Sequence, residues 1–507
     1  MLHYYSSNKN TTLVIVTLRY ITLNPKTKYA TLITISFILG DYMIQLYKFE
    51  VGGYDMIEER EPGLESAFLD ELSGLAEGNN KINPEYYSRY GVKRGLRNEN
   101  GTGVLVGLTK VGDVHGYIID EGEKVPIEGR LTYRGISIED LVHGFQKEGR
   151  FGYEEVCYLL LFGELPTKER LKEFTEVLGG LRTLPDGFIE DMILKAPSKD
   201  IMNKLSRSVL AYYSYDPNPD DTSIKNVLRQ SIELIAAIPS MIAYGYQAKV
   251  HYYDGKSLII HSPVPELGAA ENILYMIRPD NKYTATEAEV LDLALVLHAE
   301  HGGGNNSTFA THVVSSAGTD TYSAIATAIC SLKGPKHGGA NIRVMEMISD
   351  IKQNVKDWND DSEIKDYLTK ILNKKAFDGS GLIYGIGHAV YTVSDPRAVL
   401  LKKKARELAI EKDRMEEFTL YEKIEDISKQ IFLGQGKIMS ANVDFYSGFV
   451  YNMLNIPCEL YTPIFAVSRV SGWCAHRIEQ LVSENKIIRP AYKNVETLGE
   501  YKDLESR

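Results

Sequence analysis

Residues 283–301 carry a pattern that few folds other than a helical one accommodate. Val290, Leu293, Ala294 and Leu297 recur at i, i+3, i+4 and i+7, the period of one helix face. Thr284 with Glu287, or Thr286 with Glu289, supplies a capping box at the start, and Gly302, Gly303 and Gly304 end the run. The same grammar repeats downstream. A helix is expected over about 322–332, stopped by Gly334 and Pro335. Another begins after His337-Gly-Gly-Ala-Asn341 and continues through Val344, Met347, Ile348 and Ile351. Asp395-Pro396 reads as an N-cap followed by proline at the first helical position, opening a helix through Leu400, Leu401 and Leu408. A further helix runs from Ile464 through Trp473 to Leu481. Strand-like pieces such as 116–120 are few and short, and neither βαβ alternation nor a phosphate-loop glycine pattern occurs. The expected fold class is all-α.

Composition narrows the function. A chain of 507 residues has material for more than one large core. Cys157, Cys330, Cys458 and Cys474 lie far apart with no CxxC, which points away from a disulfide framework or a thiolate zinc site and towards a reducing, cytoplasmic setting. A net charge of −11 argues against nucleic acid as partner. Any anionic substrate must then meet a local cluster of Arg, Lys or His. Residues 1–55 read differently, rich in Tyr, Thr, Ile and Leu, with an uncharged run over 29–40 that Asp41 ends. That run falls short of the roughly 18 residues that a membrane span needs. We read 1–55 as an extension outside the core, with Met56 as the natural start; a membrane-associating strand or helix is the alternative.

Three histidines sit at glycine-rich helix ends. His301 follows a helix C-terminus, which favours a cation by about 0.3–1 kcal/mol, so its imidazole suits an anion. His337 precedes a helix N-terminus, whose field disfavours imidazolium, so it is expected to be a neutral donor. His388 lies on the glycine-flanked turn Gly385-Ile-Gly387-His388, where backbone can approach a ligand closely. Any one of them alone reads as readily as a packed histidine; three so placed among eleven is a rarer coincidence. Arg397 falls in the first turn of its helix, against the macrodipole, which an anion site explains better than a solvated surface. Arg469 interrupts the apolar stretch Ile464-Phe-Ala-Val-Ser-Arg469-Val, where an unpaired charge is costly to bury. Asp444 stands among aromatic and apolar neighbours in Ala441-Asn-Val-Asp444-Phe-Tyr-Ser-Gly448. It is either a helix N-cap or a base whose pKa desolvation raises.

These residues fall in ordered blocks that resemble citrate synthase. The blocks are Glu300-His301-Gly-Gly-Gly-Asn-Asn-Ser-Thr-Phe309, Gly334-Pro-Lys-His337-Gly-Gly-Ala-Asn341, Gly385-Ile-Gly-His388-Ala-Val-Tyr, Asp395-Pro-Arg397, Asn442-Val-Asp444 and Ser468-Arg469-Val-Ser-Gly-Trp473-Cys-Ala-His-Arg-Ile-Glu-Gln480. Weaker similarity in Gly129–Gly135 and Tyr158–Gly163 extends the resemblance over about 110–495. Gly302 departs from it, since many relatives carry an acidic residue there. The resemblance implies an all-α homodimer, with a large helical domain from 56–339 and 449–507 and a small one, 340–448, closing over the site. It also implies roles. Asp444 removes a methyl proton of acetyl-CoA, His337 donates to the thioester oxygen, and His388 polarises the ketone of oxaloacetate. His301, Arg397 and Arg469 hold its carboxylates, joined by Arg489 from the other subunit. Acetyl-CoA is a cosubstrate and no tightly bound cofactor is implied. Lys437 and the run Lys402-Lys403-Lys404 could meet CoA phosphates, although solvated helix faces explain them as well. The alternatives are a 2-methylcitrate synthase using propionyl-CoA, a non-catalytic homologue, and a metal site on His298 and His301, for which no third ligand is close in sequence.

Overall fold

The computed structural model describes residues 66–98, 100–483 and 486–507, with the backbone of four short strands between 32 and 50. The chain divides into two compact units, 1–89 and 90–507. In the first, Leu32–Ile33 pairs antiparallel with Phe49–Glu50 and Ser36–Leu39 with Tyr42–Gln45, followed by helices Ser66–Asn80 and Glu85–Arg89. Most of the extension expected over 1–55 lies outside the described residues. Among the described residues no helix is long and apolar enough to cross a membrane.

The second unit is predominantly helical, built around Ile224–Tyr252, Ala285–His298 and Tyr461–Ser483. Of the two candidate capping boxes, Thr284 and Glu287 form the real one. Glu287 N–H donates to Thr284 Oγ1 at 3.1 Å, and Thr284 N–H donates to Glu287 Oε2 at 3.0 Å. Glu287 also pairs with Arg278 and Lys412, both at 2.7 Å, which anchors the start of this helix to its surroundings. The helix is buried on more than the single face that its periodicity suggests: Val290 to His298 are all buried. A helix enclosed on every side is one of the two ways a largely apolar segment satisfies itself. Its one buried carboxylate in that stretch, Asp292, accepts N–H groups of Gly152 (2.7 Å) and Tyr153 (3.1 Å). It thereby caps the helix Tyr153–Phe162, whose own N-cap, Gly152, has no side chain to do so.

The helices Thr321–Lys333, Ala340–Asn354, Pro396–Glu411 and Tyr461–Ser483 stand where caps and periodicity place them. The strand content is larger than expected. Gly112–Asp120 and Glu123–Tyr133 form a long antiparallel hairpin, with Ile136–Ser137 at its edge. Glu121 (φ +48°) and Gly122 (φ +87°) make its two-residue turn, the left-handed geometry that matches strand twist. The hairpin lies against the segment that carries the candidate residues. A Cβ at Gly129 would come 2.2 Å from the Ser394 carbonyl oxygen, and one at Gly116 would come 2.5 Å from that of Val390. Only glycine permits this backbone approach.

Candidate active site

Asp395 organises the centre of the site. Its Oδ1 accepts the N–H of Arg397 (3.0 Å), capping the helix Pro396–Glu411, and also Arg397 Nε (3.1 Å). Its Oδ2 accepts Arg397 Nη2 (2.8 Å) and the N–H of Val443 (3.2 Å) at the start of the helix Val443–Met453. One carboxylate thus ties together two helix N-termini, one bearing Arg397 and the other Asp444. Burial works against the charge of Arg397, but Asp395 and the Tyr391 hydroxyl outweigh it and hold the guanidinium protonated. The expected tension between Arg397 and the helix field is resolved by this direct pair.

Asn442, not Asp444, caps its helix: the Asp444 N–H donates to Asn442 Oδ1 at 3.0 Å. The carboxyl of Asp444 is therefore left for another purpose. Burial pushes it up to about 6, against the opposing pull of Arg397. This is the environment of a general base near neutral pH.

The three histidines come together with the arginines. The His301 and His388 rings meet edge to face at 5.1 Å, His388 stacks on Tyr391 at 4.8 Å, and Arg397 lies over that tyrosine at 5.6 Å. His388 Nδ1 accepts the N–H groups of Val390 and Tyr391, both at 3.1 Å. This assigns its proton to Nε2. Burial, with Arg397, pushes His388 down to about 4, so it is a neutral donor. His301 is held well below its ordinary range by burial, with Arg397, His388 and Arg469 adding to the effect. The expectation of a cationic His301 is therefore corrected. Burial, helped by the two neighbouring guanidinium groups, outweighs any preference at the helix end, and its Nε2, buried with no partner among the described residues, belongs to a neutral ring. His337 is neutral as expected, pushed down to about 4, but by burial and the charge of Arg469. Its Nε2 lies 3.4 Å from the N–H of Ser307 and 3.0 Å from Ser307 Oγ, a hydroxyl that itself donates to Asn305 Oδ1 at 2.9 Å.

Arg469 is fully buried and spans the helix Tyr461–Ser483 to the end of Ala285–His298. Its Nε donates to the His298 carbonyl at 2.6 Å and its guanidinium lies 4.7 Å from the centre of the Phe465 ring. Burial lowers it to about 10, so it stays charged at neutral pH, and both terminal nitrogens are buried without a protein partner. A buried guanidinium with two free donors fits a carboxylate.

Sequence reasoning missed two supporting residues. Trp473 Nε1 donates to Ser307 Oγ at 3.1 Å, and Ser307 in turn holds His337. Both lie in the quoted blocks, yet their pairing joins distant segments and leaves no local trace. Lys437 and Arg489 are not drawn into the cluster. Lys437 is exposed on the turn after the helix Met415–Gly434. That turn leads into 440–442, which bonds to the His388 loop through Gly387 N–H to Ser440 O and Asn442 N–H to Gly385 O, both 2.8 Å. Arg489 is exposed on the tail beyond Tyr461–Ser483, next to Ile488, whose N–H donates to Ser316 Oγ. Lys402 pairs with Glu425 at 2.9 Å and Lys404 with Glu407 at 2.6 Å, so these two of the three lysines have local carboxylate partners. Among the described residues, no three His, Cys, Asp or Glu side chains are grouped so as to hold a metal ion.

Known proteins resemble this chain over most of its length. The family model for the citrate synthase C-terminal domain matches residues 100–491. A citrate synthase of Haloferax volcanii is 37% identical over 403 residues, 79% of this chain and 94% of that protein. The 2-methylcitrate synthase 1 of Corynebacterium glutamicum is 34% identical, over 73% of this chain and 91% of its own. A citrate synthase from Thermoplasma acidophilum, solved as a ternary complex with carboxymethyl coenzyme A and oxaloacetate, superposes with a TM-score of 0.67 at 26% identity, covering 82% of this chain and 99% of that one. With its helical fold, its ordered sequence blocks and a matched region spanning most of its length, the chain belongs to the citrate synthase family of condensing acyltransferases.

Proposed function

We propose that this protein is a citrate synthase, joining acetyl-CoA to oxaloacetate to give citrate and CoA and so feeding the tricarboxylic acid cycle. The observation that carries the reading is one cluster holding three kinds of group. These are a charged guanidinium with two free donors (Arg469), a neutral histidine protonated on Nε2 (His388), and a carboxyl raised to about 6 (Asp444). A thioester α-proton is weakly acidic, so its removal needs a placed base and a donor at the developing enol oxygen. Asp444 takes the methyl proton, and the neutral His337 donates a hydrogen bond to the thioester oxygen. His388 Nε2–H polarises the ketone, while Arg397, Arg469 and His301 hold the two carboxylates. The enol carbon adds to the ketone carbon to give citryl-CoA, whose thioester is then cleaved by water.

The working unit is a homodimer in the cytoplasm, a setting supported by four free thiols. Residues 340–448 close over the bound oxaloacetate against 56–339 and 449–507, Lys437 meets CoA phosphates at the mouth, and Arg489 completes the neighbouring subunit's site. A second reading, propionyl-CoA as the acyl donor, draws support from 2-methylcitrate synthases standing among the relatives at similar identity. One methylene in an apolar pocket is worth only about 1–3 kcal/mol, roughly 10–200-fold. Measuring kcat/KM with each acyl-CoA at saturating oxaloacetate separates the two: acetyl-CoA is expected to lead by at least tenfold, and a lead for propionyl-CoA overturns the assignment.

The pH profile follows from Asp444. The base must be ionised, so kcat/KM for acetyl-CoA should be level above about pH 6 and fall tenfold per unit below it. His337 and His388, held at about 4, stay neutral across that limb and add nothing to it. A profile that stays level down to pH 4.5 would mean that the base is an ordinary carboxylate elsewhere.

A further inference from the structure

Glu300 directly precedes His301, is fully buried, and has no part in the chemistry above. Its Oε1 accepts the N–H of Gly302, the residue directly after His301, and lies 3.0 Å from His476 Nε2. His476, also fully buried, sets its Nδ1 3.2 Å from His312 Nε2, and His312 Nδ1 lies 2.8 Å from Gln480 Oε1. The carboxylate thus ends a chain of side chains, with both contacts on Oε1, while its Oε2 is buried without a partner among the described residues. Two glycines from separate elements are shaped around it: a Cβ on Gly112 would come 2.6 Å from Glu300 Cγ, and one on Gly472 would come 2.5 Å from Oε2.

The backbone on either side of His301 is consequently gripped. Before it, the Glu300 N–H donates to the Tyr133 hydroxyl (3.3 Å), which itself donates to the Val296 carbonyl (3.0 Å). After it, Gly302 turns through φ +81°, a left-handed geometry that the Glu300 carboxylate closes by taking its N–H. The His301 ring itself is not anchored through Nε2, which is buried with no hydrogen-bond partner among the described residues. Two aromatic neighbours, His388 at 5.1 Å and Tyr391 at 5.6 Å, meet the ring edge to face.

We propose that Glu300 is a positioning residue for the oxaloacetate site, acting through Gly302 N–H and His476 to fix the turn that presents His301. It touches no substrate. The inference rests on the functional reading above, because His301 is taken there to contact oxaloacetate.

The test is oxaloacetate affinity, by calorimetry and by KM at saturating acetyl-CoA, for Glu300→Ala, Glu300→Asp and Glu300→Gln. Alanine removes the acceptor, and aspartate withdraws it by one methylene. Both should raise the oxaloacetate Kd and KM about ten- to hundredfold, with kcat falling less than KM rises, as expected for the loss of a contact that charged or polar positioning supports. Glutamine keeps an oxygen acceptor at the same reach and should stay within about threefold of the unaltered chain. Unchanged oxaloacetate affinity in the folded Ala or Asp protein overturns the proposal, as does a loss confined to kcat or to the folded fraction. A Gln variant as impaired as Ala also overturns it, since hydrogen bonding would then not be the cause. Should the Ala protein fail to fold, the Asp and Gln proteins decide alone. The functional reading fails separately, through an unaltered chain that binds no oxaloacetate, whereas altered variants of a binding-competent chain speak only to Glu300.

Discussion

Asp444→Asn should lower turnover by about 10²–10⁴ while leaving oxaloacetate binding nearly intact. General-base removal has this usual size, and the structure explains why the substitution isolates it. The helix cap belongs to Asn442, whose Oδ1 takes the Asp444 N–H, so an amide at 444 removes no cap. The dicarboxylate contacts are assigned to Arg397, Arg469 and His301, none of which hydrogen-bonds Asp444 among the described contacts. A neutral amide also relieves the burial that raises the carboxyl to about 6, so stability should not suffer. Calorimetry with oxaloacetate and CoA release with acetyl-CoA measure the two halves of the expectation. A folded Asp444→Asn protein with undiminished turnover would remove Asp444 from the mechanism.

The second large effect is a gain. Pro490 prevents a helix from continuing through Arg489, and Arg489 is exposed on the tail beyond Tyr461–Ser483, outside its own chain's cluster. If it serves the neighbouring subunit, Arg489→Ala alone should cost about 2–5 kcal/mol of binding or transition-state stabilisation, the range for losing one partner of a desolvated charge pair. Mixing Arg489→Ala chains with Asp444→Asn chains under subunit exchange then places both defects in one site of each heterodimer and leaves the other site whole. An equal mixture with random pairing should regain about a quarter of the unaltered activity from two nearly inactive parents, since about half the dimers are mixed and each holds one whole site. No recovery would mean that Arg489 acts, if at all, within its own chain.

The parts of this architecture that the sequence announces are those whose physics is local. The cap at Asp395-Pro396 and the box of Thr284 with Glu287 involve residues two or three apart, and both appear in the structure as written in the chain. The hairpin of Gly112–Asp120 and Glu123–Tyr133 was less visible, because its strands alternate imperfectly and its turn, Glu121-Gly122, is a weak signal. The site shows the same division. His301, His388, Arg397, Arg469 and Asp444 stand out one by one from their glycines and apolar neighbours, and the structure brings them to one place. Their charge states are a different matter. The neutrality of His301 depends on burial by the surrounding fold, with Arg397 and Arg469 from later helices adding to it, whereas the local helix end alone points to the opposite sign. Asp395 reads as a cap alone, yet it also takes the Val443 N–H from a distant segment and so sets the separation of the arginine from the base. Trp473, Ser307 and Glu300 likewise act through contacts that cross the fold.

The most direct test of the account is release of free CoA from acetyl-CoA by the unaltered protein, with and without oxaloacetate, at pH 7.5. An enolising base poised beside a dicarboxylate site predicts rapid release that requires oxaloacetate, with citrate formed in equal amount. Release that proceeds equally without oxaloacetate, or no release of CoA from either acetyl-CoA or propionyl-CoA, would contradict it.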